Sequence, residues 1–407
     1  MNKIALLISI LVMVLYGFSA SAEINYSASN NELLDSLLRS NKNLKNVWKR
    51  TDTHRLQIIY TRVLHDSAGN VKLKNYTYNL SENLYFYPAS LVKLPVSIFA
   101  LEKLNALASE RVTINSKMAI DSNYSCQSAV VTDALSDNLT PTLSNYISKA
   151  LIISDNESYN RLYEFVGPEY CQKRLFEMEY EKARIITRFS ACDSIENRHT
   201  NGFNFYNEQE KIIYRQPPSF SNFSIKPPLI NMKVGSAYFK HGKMISSPKD
   251  FSNSNFFPLQ NMHNFLIGLV YPSIYKNPFL INNKNREFLL QCLSKNPSEC
   301  SINKIKNDTA FYDNYTNYLF YGSENIIDKS DNLKIYNIVG QAYGFLSDVA
   351  YFKDTVTGID FFLSTVIYTN SSDVLGNNGY EYDTIGLPFL KDLGRIIYSY
   401  ELEQTLD

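Results

Sequence analysis

Residues 85–100, YFYPASLVKLPVSIFA, set a serine and a lysine three positions apart just behind a proline, at the head of an apolar run. Apolar residues at three- and four-residue spacing predict a helix over 90–107. Pro88 suits a first helical position, where a missing N–H costs nothing. Ser90 and Lys93 then lie nearly one turn apart on a shared face. Held among Leu91, Val92, Leu94 and Ile98, the lysine loses hydration, which disfavours its charged form and lowers its pKa. A neutral amine beside a hydroxyl can take that hydroxyl's proton. The helix start also offers the Ser90 backbone N–H to a developing oxyanion. The same residues fit a plainer role, with Ser90 capping the helix and Lys93 reaching water. Pro95 conflicts with a helix interior, at about 3 kcal/mol, unless the segment bends.

Context separates this pair from its repeats. Ser-x-x-Lys occurs at Ser90/Lys93, Ser246/Lys249, Ser273/Lys276 and Ser301/Lys304. SSPK holds a proline, SINK follows Cys300 in a polar stretch, and SIYK ends an amphipathic segment. Only Ser90 opens a long apolar helix. Ser-Asp-Asn occurs three times, at 136–138 in the polar turn ALSDNLTPTL, at 154–156 in ALIISDNESYNRLYEFVG and at 330–332 in DKSDNLK. The second lies between two helical patterns within 142–165, where a junction can point Ser154 and Asn156 into a shared cleft.

Strand patterns stand at both ends of the chain. LQIIYTRVL (56–64) and VKLKNYTYNL (71–80) flank the turn HDSAGN and predict a hairpin. Further strands are expected at 334–340, 345–352 and 359–369, the last two joined by KDTVTG. A closing helix carries Phe389, Leu390, Leu393, Ile396, Ile397 and Tyr400 as one stripe. Terminal strands that pair would form one antiparallel sheet, with the helical middle as a second lobe. Within 201–333, two short amphipathic helices are expected around PLQNMHNFLIGLVYPSIY and NREFLLQCLSK.

Lys plus Arg and Asp plus Glu balance at 40 each, which argues against nucleic acid or an anionic surface as partner. Met1 to Ala22 has a basic start, an apolar core and the small-residue site Ala20-Ser21-Ala22, so a secretory signal cleaved after Ala22 is expected. The mature chain, 23–407, is then an exported single domain, read as a monomer free of the membrane. Cys126, Cys171, Cys192, Cys292 and Cys300 make an odd count, so at least one thiol stays free or bonds another chain. Cys292 and Cys300 are close enough to close a small loop. The five histidines show no metal-ligand spacing, and neither a metal nor another cofactor is expected.

Taken together, YPASLVKLPV, LIISDNESYNRL and VGQAYGFLSDVAYF resemble elements of the penicillin-recognising serine hydrolases, most closely the class A β-lactamase-like branch. The resemblance covers roughly 50–200 and 330–403. It implies an α+β, β-lactamase/transpeptidase-like fold, with an antiparallel sheet from both chain ends and an all-α lobe. It implies Ser90 as the acylated nucleophile, Lys93 as its base, Ser154 as a proton relay and Asn156 as a binder of the substrate amide. The backbone N–H groups of Ser90 and Gln341 would form the oxyanion hole. Glu196, in CDSIENRHTNGF beside Asn201, is the candidate base for releasing the acyl group.

One departure is plain. Where the family has Lys-Thr/Ser-Gly, this chain reads Ile338-Val339-Gly340. The glycine survives; the lysine that draws in a substrate carboxylate does not. Lys334 lies about 13 Å away along the strand, too far to replace it. The resemblance implies hydrolysis of a β-lactam. A D-Ala-D-Ala-type peptidase or esterase, or a module that binds cell-wall fragments or a partner without turnover, are the alternatives. Residues 201–333 form an enlarged insertion, read as a cap over the cleft or a binding face.

Overall fold

The computed structural model describes residues 32–190, 192–223, 229–325, 332–377 and 379–405, and in it strands from the two ends of the chain meet. They form one five-stranded antiparallel sheet in the order Leu333–Ala342, Phe345–Asp354, Asp360–Tyr368, Gln57–His65, Val71–Tyr78. The register between the two halves of the sequence runs from Gln57 opposite Val366 to Arg62 opposite Phe361. Both inner strands after the Tyr343-Gly344 turn are buried almost throughout, as a sheet covered on both faces requires.

Side-chain alternation divides the sheet between two cores. Ile335, Val339, Leu346 and Phe361 join Leu34, Val47, Phe389, Leu393 and Ile397, from the first two helices and the last one. Ile338, Val349 and Phe362 face the other way, onto the lobe built around the central helix. The expected stripe on the closing helix, Leu387–Gln404, is what packs on the sheet.

The central helix is Lys93–Ala106, buried from Lys93 through Glu102. Being apolar on nearly every side, it can only sit inside the lobe. A tight turn, Ala89–Val92, precedes it. The helix therefore starts later than the apolar pattern suggests, and Pro95 falls in its first turn. Amides there have no helical partner, so the expected conflict disappears. Helices Leu143–Ile152 and Asn156–Val166 pack beside it, and Leu259–Val270 lies over the sheet.

The lobe is helical but not free of strands. Lys117–Ile120, Phe203–Tyr206 and Ile212–Gln216 form a three-stranded sheet, and a hairpin of Ala237–Lys240 with Lys243–Ile245 adds Val374–Leu375. The sequence reading assigned no strand there, because segments of two to five residues are too short to show a period.

The cysteines need a correction. Cys126 bonds Cys192, with Cα atoms 5.7 Å apart, while Cys171, Cys292 and Cys300 are free and buried. Proximity in sequence suggested a Cys292–Cys300 loop, but Cys292 is held in the helix Asn283–Ser294 with its thiol towards Ser148. Among the described residues no helix is long and apolar enough to cross a membrane. The expected signal at 1–22 lies outside the described residues.

Candidate active site

Three chain segments converge on Ser90. The first is its own turn. Pro88 fixes φ at −73°, and Ala89 then adopts φ +45°, in the left-handed region that side chains with a Cβ rarely enter. Such a residue costs about 1–2 kcal/mol, and the surrounding contacts hold it. The strand Leu333–Ala342 is one of them: a Cβ on Gly340 would lie 2.4 Å from the Pro88 carbonyl oxygen and 2.6 Å from Ser347 Oγ. Only glycine lets this edge strand touch the serine's turn.

The second segment is the junction Ser154-Asp155-Asn156. Asp155 caps the helix Asn156–Val166, its carboxylate accepting from Ser158 N at 2.7 Å. Ser154 just before it has φ +56°, again left-handed. The cap turns Ser154 and Asn156 towards Lys93. The Ser-Asp-Asn at 136–138 is a surface turn whose Asp137 accepts from Asn303 and Lys304.

Lys93 is the hub. Its Nζ lies 2.8 Å from Ser90 Oγ, 3.0 Å from Ser154 Oγ and 2.9 Å from Asn156 Oδ1, and it also donates to the Ser154 carbonyl. The side chain is fully buried, and Phe189 covers it with its ring centroid 5.4 Å away. Burial brings the amine down to about 7, against a smaller opposing pull from Asp155. Near neutral pH an unprotonated amine thus stands within hydrogen-bond reach of a serine hydroxyl. That arrangement can activate a nucleophile.

A cavity of about 500 Å³ opens in front of this group, lined by Ser90, Asn156, Arg188, Phe189, Ser190, Gln341, Tyr343 and their neighbours. The backbone of Ser90 and that of Gln341 thus border one space. Ser190 arrives on the third segment, a loop fixed from below. Arg188 Nε meets Glu164 at 2.7 Å, Phe189 N donates to Asn160 Oδ1, and Asn255 Oδ1 accepts from Ile186 N and Thr187 N. The Cys126–Cys192 bond ties the far side of this loop to residues near 126.

Glu196 is not among the residues gathered there. Its Oε1 accepts from Ser125 Oγ at 2.6 Å and its Oε2 from Asp193 N at 2.7 Å. Both oxygens serve the loop, not Ser90, and Asn201 is buried with its amide on the Asp121 and Ser128 carbonyls. Among the described residues, none that lines the cavity is acidic. Cys126, Cys192 and Glu196 come close together, but the two sulfurs are bonded to each other and offer no thiolate to a metal.

Ile338 is buried among lobe side chains, 2 % exposed, so the cation missing from the sequence is missing from the cleft wall. Arg188, Phe189, Ser190, Tyr87 and Tyr343 were not singled out from sequence. Tyr343 follows directly on VGQA and could have been; the loop residues sit in irregular chain with no pattern to announce them.

The chain matches the model of the Beta-lactamase enzyme family over residues 42–400. No curated protein matches it. Among solved structures it is similar to a β-lactamase of Sphaerobacter thermophilus, at 11 % identity and TM-score 0.48 over 90 % of this chain and 96 % of that one. It is similar also to PBP-A, at 13 % identity and TM-score 0.49 over 91 % and 97 %. A chromosome-encoded β-lactamase of Vibrio parahaemolyticus gives 12 %, TM-score 0.47, and coverage of 88 % and 98 %.

Proposed function

Since the chain belongs to the β-lactamase enzyme family, among the penicillin-recognising serine hydrolases, we propose that it acts through an acyl-enzyme on Ser90 at a β-lactam or a related amide. The observation that carries this reading is Lys93 Nζ, buried, held at about 7 and 2.8 Å from Ser90 Oγ. Ser90 Oγ attacks the carbonyl carbon while its proton passes to the Lys93 amine. The backbone N–H groups of Ser90 and Gln341 receive the negative charge that grows on the carbonyl oxygen. The C–N bond then breaks, and the proton leaves through Ser154 Oγ to the departing nitrogen. Asn156, on the cavity wall, orients the substrate's side-chain amide.

Release of the acyl group needs a water and a base. Glu196 is engaged elsewhere, and among the described residues the cavity wall has no carboxylate. This favours a second reading beside β-lactam hydrolysis: a slow deacylator, of the peptidase or sensor kind, whose adduct persists. Export after cleavage at Ala22, and a single domain over 23–407 with 201–333 as its enlarged insertion, belong to the same proposal.

Intact mass after incubation with benzylpenicillin tests it. One adduct on Ser90, lost in Ser90→Ala, is expected. An adduct mapped to another serine, or none with benzylpenicillin or a fluorophosphonate, overturns the acyl-enzyme reading. The decay time of the adduct separates hydrolysis from retention.

A further inference from the structure

Lys249 ends the SSPK stretch that sequence context sets aside as a catalytic pair. It lies half-buried on the short strand Lys249–Asp250, with its ammonium among three rings: Tyr343 at 5.1 Å, Tyr238 at 5.2 Å and Phe251 at 5.5 Å from the centroids. Aromatic faces stabilise a cation without neutralising it. Among the described residues no carboxylate pairs with Lys249. Asp250 next to it turns to the backbone and hydroxyl of Ser252. Burial lowers the Lys249 pKa, and Lys240, another cation, lowers it further. Lys240 in turn faces Lys243 directly across the hairpin. Like charges in that position destabilise a strand pair, so an uncompensated positive field has been built here.

Tyr343 joins that field to the cleft. It lines the cavity in front of Ser90, and its ring packs edge-on against Tyr87, another lining residue, at 5.1 Å. Two cations nearer Ser90 are taken: Lys93 by Ser90, Ser154 and Asn156, and Arg188 by Glu164 and the Glu196 and His199 carbonyls. Ile338 supplies none.

We propose that Lys249, caged by Tyr343, Tyr238 and Phe251, is an anion subsite at the mouth of the cleft and receives a carboxylate of the substrate. Lys240 strengthens the field from behind. The assignment rests on the acyl-enzyme reading for which substrate arrives, but its geometry does not depend on any chemistry at Ser90.

The test uses Ser90→Ala protein, so that binding is measured without reaction. Lys249→Met keeps an apolar stem against the rings and removes the charge. Calorimetric affinity for benzylpenicillin is expected to fall about ten- to a hundredfold, the size of a charge-assisted contact. Affinity for its methyl ester should change little, and Lys249→Arg should restore the difference. Equal weakening of acid and ester, or no weakening with penicillin and none with the depsipeptide that follows, overturns the subsite. The same comparison on an N-acyl-D-alanyl-D-lactate, with free or amidated end, decides the source of the carboxylate. An effect there alone assigns the site to cell-wall peptides, and an effect on penicillin alone assigns it to β-lactams. If binding depends on Lys249 while wild-type Ser90 takes no acyl group, the subsite stands and the acyl-enzyme reading falls.

Discussion

Lys93 and Lys149 stand on packed helices of one lobe, 0 % and 2 % exposed, and differ in what faces the ammonium. Lys149 Nζ meets both oxygens of buried Asp133, at 2.5 and 2.6 Å. That buried ion pair is a structural brace. Lys93 meets two hydroxyls, a carbonyl and an amide oxygen, none of them charged. Its proton is held by dipoles and the weaker pull of Asp155, and burial loosens it. The partner, not the depth, separates a base from a brace.

The hardest strike at that contrast is Lys93→Met. It removes the proton acceptor and fills the space, so the protein should fold while the second-order acylation constant with benzylpenicillin falls about 10²–10⁴-fold. A fall of less than about tenfold, well below that range, would mean that another group takes the Ser90 proton.

Asp133→Asn tests the other lysine. It strands a buried ammonium without its counter-charge, which costs about 3–5 kcal/mol of stability. Urea unfolding reads this out, and Lys149→Met combined with Asp133→Leu should recover most of the loss. Stability unchanged in Asp133→Asn would break the comparison outright.

Asn156→Asp turns the first environment into the second, by placing a carboxylate where an amide oxygen now lies 2.9 Å from Lys93 Nζ. The amine should then hold its proton to a pKa about 1–3 units higher, with acylation at pH 7 reduced roughly tenfold or more and recovered in alkali. The pH–rate profile decides; an unmoved limb says the titrating base lies elsewhere.

The smallest effect is in the wild type. With Lys93 at about 7, acylation should rise as pH passes through that value. Stability carries the same signature. The native amine gives up its proton near 7, while the unfolded chain keeps it until about 10.4. Between those values the unfolded state binds more protons, so stability rises with pH. Urea midpoints of wild type and Lys93→Met at pH 7, 8 and 9 should show a rise that the variant lacks.

Much of this site could be read before folding because its chemistry sits on regular chain. Ser90 stood out through Pro88 and the apolar run behind it, and Ser154 through its place between two helical patterns. The strands flanking Tyr343-Gly344 announced themselves by β-branched and aromatic content. What could not be read lies in loops and in distance. Arg188, Phe189 and Ser190 have no period, and Cys126 meets Cys192 across 66 positions that no local rule connects. Glu196 stands in a loop after Ser-Asp-Asn, but Ser125 and the loop's own Asp193 amide claim its two oxygens. Lys249 belongs to a motif whose pattern pointed to a different use.

The pairing of Gln57–His65 with Asp360–Tyr368 has a consequence for how the protein is made. Gln57–His65, an inner strand of the sheet, waits for a partner roughly three-quarters of the chain away, and closing so long a loop is slow and entropically costly. Gly340, which braces the turn at Pro88, also comes late. As the chain emerges from the ribosome, Ser90 appears long before the wall that completes its cleft. Until residues 333–368 have followed, the proposed nucleophile has no assembled cleft, so a chain cut short at any earlier point carries Ser90 without the wall it is proposed to work against.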